Sequence, residues 1–220
     1  MFRQFCLTLL LLALVPAAFA RRNDEFKLES IGALTDAKVA EAVRTTLNDK
    51  GWRITGKDGK PVAELWLRKE APSHDGSIDG ANFGQINEGA LVGVITYPAN
   101  TTDFRGQGLK AGTYILRYGV SMQDGAHLGV SPSRDFFLVT KPEDDKDPKD
   151  LPAAEVLKLS RAAIGTGHPG PLALTFPASD PKEMPKVVSN EHEQVILEFK
   201  LKLKTGELPI GLIVIGKSSE

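Results

Sequence analysis

Four histidines, His74, His127, His168 and His192, are the side chains of this 220-residue sequence best suited to hold a transition metal. All four fall in segments that read as loops or strand ends. Asp124, Asp135, Met122 and Met184 could complete a set of imidazole with carboxylate or thioether, which suits copper or zinc in an oxidising compartment. His127 and His168, with Asp124, form the best candidate set. No two histidines stand at an H-x-H, H-x-x-x-H or HExxH interval, and scattered histidines are ordinarily solvated loop residues, so no cofactor is expected from spacing alone.

The residue types of a hydrolase triad also occur, as Ser131 or Ser133 with His127 and Asp124 or Asp135. No G-x-S-x-G elbow presents the serine on a strand-to-helix turn, and Ser, Asp and Gly crowded together more often satisfy their own backbone in a turn. The run from Glu143 to Asp150 has the carboxylates of a calcium loop, but not the EF-hand order, and Lys146 and Lys149 interrupt it. It reads as a solvated, Pro-punctuated excursion. Arg105 and Arg134 neighbour Asp103 and Asp135, pairs that could clamp a carboxylate or sugar, or simply pin loops. Trp66 could be a binding platform or lie beneath a helix, and the amphipathic segment Thr35 to Asp49 favours the helix.

Arg105, Asp103, Asp124, His127, Ser131, Ser133, Arg134 and Asp135 fall in two stretches, DFRGQGLKAGTYILRY over 103–118 and DGAHLGVSPSRDFFLV over 124–139, on either side of one strand. In a simple meander they emerge at opposite ends of the sheet and need not share a site. The two stretches, with Gly165 to Pro169, resemble uncharacterised exported bacterial proteins. That resemblance covers about Val62 to Thr140 and implies a periplasmic or secreted β-sandwich with no catalytic residue to carry over.

The elements that would position these residues begin after a leader. Arg3, the apolar run from Cys6 to Val15, Pro16 and the ending Ala18–Phe19–Ala20 have the layout of a secretory signal peptide cleaved after Ala20. The apolar run is shorter than the ~20 residues a spanning helix needs, so no transmembrane span is expected after cleavage. Removing it leaves a chain with no cysteine and a net charge of −2, since Cys6 and Arg3 go with it. Disulfides and thiol chemistry are thereby excluded from the mature chain, and a near-neutral balance gives no footprint for nucleic acid. A protein, peptide or carbohydrate is the expected partner.

Apolar spacing predicts a helix over 35–49 and a second over 152–164, started by Pro152 and stopped by Gly165. Strands are expected at 52–55, 62–68, 91–97, 113–120, 136–140, 195–204 and 208–215, with a long loop at 72–89. Tyr114, Leu116, Tyr118 and Val120 should share a face, and Val195 to Leu203 alternates most clearly. Roughly eight strands and two helices that do not alternate regularly predict a mainly β protein, a single antiparallel β-sandwich with two accessory helices. Its expected role is a non-catalytic binding or structural module, with a metal carrier or a hydrolase as the alternatives.

Overall fold

The computed structural model describes residues 26–121 and 133–218. The leader and the candidates Met122, Asp124, His127 and Ser131 lie outside them. In chain order the elements begin with β1 (Phe26–Ile31), α1 (Glu41–Arg44), β2 (Gly51–Gly56), β3 (Pro61–Leu67) and β4 (Leu91–Tyr97). A two-stranded flap, β5 (Thr101–Thr102) with β6 (Gly108–Leu109), precedes β7 (Gly112–Val120), β8 (Asp135–Thr140) and α2 (Ala153–Ile164). The chain closes with β9 (Pro171–Thr175), β10 (Lys186–Ser189), β11 (Val195–Leu203) and β12 (Gly206–Ile215).

Ten of these strands form one antiparallel sheet in the order β1-β2-β3-β4-β7-β8-β9-β12-β11-β10. The expectation of two stacked sheets therefore needs correcting: the sheet is continuous and curls until it is nearly barrel-shaped, with its edge strands β1 and β10 in contact. Near this seam Ala71 N–H donates to Lys202 O at 2.8 Å. The continuity comes from β9, whose first residues pair with β8 (Ala173 opposite Phe136) while its last pair with β12 (Leu174 opposite Leu212).

Alternation decides what the sheet encloses, because successive strand side chains point to opposite faces. On β7, Tyr114, Leu116 and Tyr118 join the main core with Val120 packed against it, as their spacing predicts. Phe137 of β8, Leu197 and Phe199 of β11 and Leu212 of β12 belong to the same cluster, so both halves of the sheet share one apolar interior. The outward positions of β7 are Thr113, Ile115, Arg117 and Gly119, and they too are covered.

Two apolar patches cover the outer face. Val39, Val43 and Leu47 pack with Trp66, Leu91, Val94 and Ile115. Phe104 packs with Val188, Ile196 and Ile213. The first patch corrects the helix expected over 35–49, because only Glu41–Arg44 is helical. The buried stripe is as the spacing predicts, but the backbone reaches it through successive turns in which Val39, Val43, Thr46 and Leu47 donate to the carbonyl three residues back. Thr45 and Thr46 turn their hydroxyls onto Ala42 O and Val43 O. The chain then leaves helical geometry because Asn48 N–H and Lys69 N–H bond across to Leu67 O and Thr46 O. β-branched residues with competing hydroxyls are poor helix propagators, and here the sheet offers their backbone a better partner.

The second helix matches its expected bounds. Pro152 precedes it and Gly165, at φ +79°, ends it in the left-handed conformation that glycine adopts without strain. It packs chiefly on β8.

Candidate functional site

The described part of the second stretch, from Ser133, lies at the opposite end of β7 from the 101–111 turn, because β4 and β8 both run antiparallel to β7. Where β7 begins, the Asp103 carboxylate is fully buried and accepts from Arg105 N–H at 3.0 Å, Gln107 N–H at 2.8 Å and Gln107 Nε2 at 2.7 Å. Burial pushes its carboxyl above the usual range, against the pull of these hydrogen bonds. Gln107 also donates to Pro169 O and accepts from the Thr166 hydroxyl, which draws the Gly165–Pro169 stretch to the same turn. Arg105, the candidate clamp, stands exposed at the tip of this turn, and it is its backbone that the aspartate holds.

Where β7 ends, Asp135 is equally buried. It accepts from Asn82 N–H at 2.9 Å, Phe83 N–H at 3.0 Å and the Tyr118 hydroxyl at 2.5 Å. Burial and this hydrogen bond together push the Tyr118 phenol far above its ordinary value, so it stays protonated. Arg134 donates to Ser121 O through both Nε and a terminal nitrogen, and to Asp79 O at 2.6 Å. Both residues therefore pin the 72–90 loop and the end of β7 rather than facing a vacant space. Ser133 Oγ donates to Leu174 O at 2.9 Å and accepts from Asp135 N–H, which commits it to backbone.

Trp66 is buried beneath the 31–47 segment, and its indole N–H donates to Gly32 O at 2.8 Å. It presents no open face to a ligand. Of the candidate metal ligands, His127 and Asp124 lie outside the described residues, and His168 is exposed beside Thr166. His74 is exposed with its Nδ1 accepting from Gly76 N–H, and His192 is exposed 3.7 Å from Glu191. Among the described residues no group of three or more His, Cys, Asp or Glu gathers to hold an ion.

The most elaborate polar cluster centres on a residue that sequence reasoning passed over. Arg117 and Asp145 are fully buried and paired through two hydrogen bonds, Nε to Oδ2 at 2.7 Å and a terminal nitrogen to Oδ1 at 2.6 Å. Gly89 O, Lys149 O and Asp147 O take the remaining donors at 2.6–2.8 Å. The Thr140 hydroxyl adds a bond to Asp145 Oδ2 at 2.6 Å. All five guanidinium N–H groups are thus used, the condition under which a charged pair can be buried at tolerable cost. The 141–151 segment keeps most of its charged side chains exposed, as its composition suggests, while Asp145 and the carbonyls of Asp147 and Lys149 tie it as a strap over β7. Gly89 makes this possible, because a Cβ there would stand 1.8 Å from Leu151 O. A similar device occurs on β11, where buried Glu198 accepts from Ala178 N–H and Ser179 N–H.

Compared with protein-family models, curated proteins and solved structures, the chain gives no significant match. No helix among the described residues is long and apolar enough to cross a membrane.

Proposed function

We propose that this chain is exported behind a leader cleaved after Ala20 and serves in the periplasm or outside the cell as a non-catalytic binding or structural protein. On this reading it belongs with the uncharacterised exported bacterial proteins its motifs resemble. Its curled sheet is then a flattened, sandwich-like body whose two halves face each other across one core, with β9 at the corner. The observation that carries the reading is the use made of buried polarity. Asp103, Arg117, Asp135, Thr140, Asp145, Ser160, Gln194 and Glu198 are the buried polar side chains among the described residues. Each holds a loop, a strap or a chain end, as Ser160 does for Gly170 N–H and Gln194 for Lys217 O. A general acid or base needs a reactant within hydrogen-bond reach, whereas these eight side chains are engaged by the chain itself; among the described residues Gln85 Oε1 and Ser189 Oγ are the buried side-chain oxygens left without a partner. The near-neutral charge favours a protein, peptide or carbohydrate partner over nucleic acid.

The test is expression of the whole chain in a bacterial host, followed by fractionation and intact mass. Recovery outside the cytoplasm with the mass of a chain beginning at Arg21 supports export; recovery of the uncleaved chain in the cytoplasm removes it. The same purified protein is then assayed for bound metal and for turnover of ester, peptide and glycoside substrates. Stoichiometric copper or zinc lost in His127→Ala, or turnover abolished by a single substitution, would replace the binding reading with a metal-carrier or hydrolase one.

A further inference from the structure

We propose that residues 141–170 form a cover that opens as one unit while the sheet stays folded, latched by the Arg117–Asp145 ion pair. The first observation is how little apolar surface secures this segment. Pro142 and Val156 are its fully buried apolar side chains and half-buried Ile164 packs against the main core, whereas β7 alone buries Tyr114, Ile115, Leu116 and Tyr118. The second is that its attachments are polar: those of 145–151 converge on Arg117, Arg68 and the Asn87–Gly89 turn, and those of 166–169 run to Gln107. Arg117 holds Asp145, Asp147 and Lys149, Arg68 donates to Pro148 O at 2.6 Å, Asn87 Nδ2 donates to Asp150 at 2.8 Å, and Leu151 N–H reaches Gly89 O. The third is that the segment is bounded by its own bonds: Gly170 N–H donates to Ser160 Oγ, and Val139 N–H donates to Gly170 O where the sheet resumes.

A segment with few fully buried apolar side chains, held mainly by polar bonds of which the Arg117–Asp145 pair is, among the described residues, the only buried charged one, opens below the global unfolding free energy. Opening uncovers the outward side of β7 and β8, where Arg117 stands opposite Leu138, and frees a guanidinium with five donors. The opened face is accordingly an acceptor for carboxylate groups beside apolar surface.

Native-state hydrogen exchange on the purified chain in increasing denaturant tests this. The amides of 142–170 are expected to exchange through a common opening at denaturant concentrations that leave β4, β7 and β11 protected. Asp145→Asn should speed their exchange by about ten-fold or more while β4 and β11 stay within about two-fold. The double variant Arg117→Met/Asp145→Leu also removes the guanidinium bonds to Gly89 O, Lys149 O and Asp147 O, and should leave the cover exchanging at least as fast as in Asp145→Asn, with β4 and β11 still within about two-fold. Exchange of the cover only together with the sheet, a uniform rise in Asp145→Asn, or a rise confined to 143–150 with α2 unaffected would each overturn the proposal. If Asp145→Asn does not fold, the denaturant series on the unaltered chain decides it.

Discussion

At the start of β7, Asp103 accepts from backbone two and four residues along the chain; at its end, Asp135 accepts from Asn82 and Phe83, across separations of 53 and 52 residues. Both aspartates are buried, both lie within two residues of an arginine in sequence, and both sit in stretches that look chemically equipped. The first is a turn that largely satisfies itself, with Gln107 carrying its influence outward to Thr166 and Pro169. The second is a tie between elements distant in sequence, sharing its carboxylate with a buried tyrosine of the main core. The same residue types therefore give local closure at one end and long-range cohesion at the other, and the difference lies wholly in which N–H groups the carboxylate meets.

The largest expected effect tests the long-range tie. Asp135→Ala strands the buried Phe83 N–H and Tyr118 hydroxyl and the half-buried Asn82 N–H, and should cost about 3 kcal/mol in denaturant unfolding. In a double-mutant cycle with Tyr118→Phe the two changes should couple by about 1 kcal/mol or more, since they share one hydrogen bond. Additive costs would break the comparison by making Asp135 no more than another turn residue. Asp103→Ala should cost about 1–2 kcal/mol, with faster amide exchange confined to 103–109 and 165–169. Loss of protection along the whole of β7 would show that this turn is not local.

The acid dependence of the two forms sharpens the same point. Burial raises the Asp103 carboxyl above its ordinary value, so the folded protein holds that proton more tightly than the unfolded chain. Its contribution is most favourable below the unfolded carboxylate pKa and declines as pH rises through the raised folded value. The stability of the natural chain relative to Asp103→Asn should therefore fall as pH rises across that window in parallel denaturant titrations. A relative gain would reverse the sign argued here. The arginines give the smallest effects. Arg134→Ala loses bonds to Ser121 O and Asp79 O and should cost about 1 kcal/mol, while exposed Arg105→Ala should stay within about 0.5 kcal/mol.

The interior was readable because its code is periodic: Tyr114 to Val120 and Val195 to Leu203 alternate, and each places its apolar set in the core. β1 escaped notice because Phe26 to Ile31 mixes Lys27, Glu29 and Ser30 into an edge strand buried on neither face throughout. β9 escaped because its five residues are enclosed by Pro171 and Pro177. Arg117 reads as solvent-facing by the alternation of its own strand. Its burial depends on a strap that begins 24 residues later, and no local pattern carries that information. Arg134 and Asp135 were visible as a pair, but their partners lie in the 72–90 stretch, whose glycines and polar residues conceal Phe83 and Ile86 as core members.

The handover at β9 makes the sheet mechanically uneven. Two residue pairs join β9 to β12 and three join it to β8, against nine along β11 and β12. A load drawing the two halves apart would concentrate on that joint, because backbone rungs share force in proportion to their number. The continuous sheet is thus at its thinnest at β9, and Phe104, which packs with Ala173, Ile196 and Ile213, braces that joint from outside.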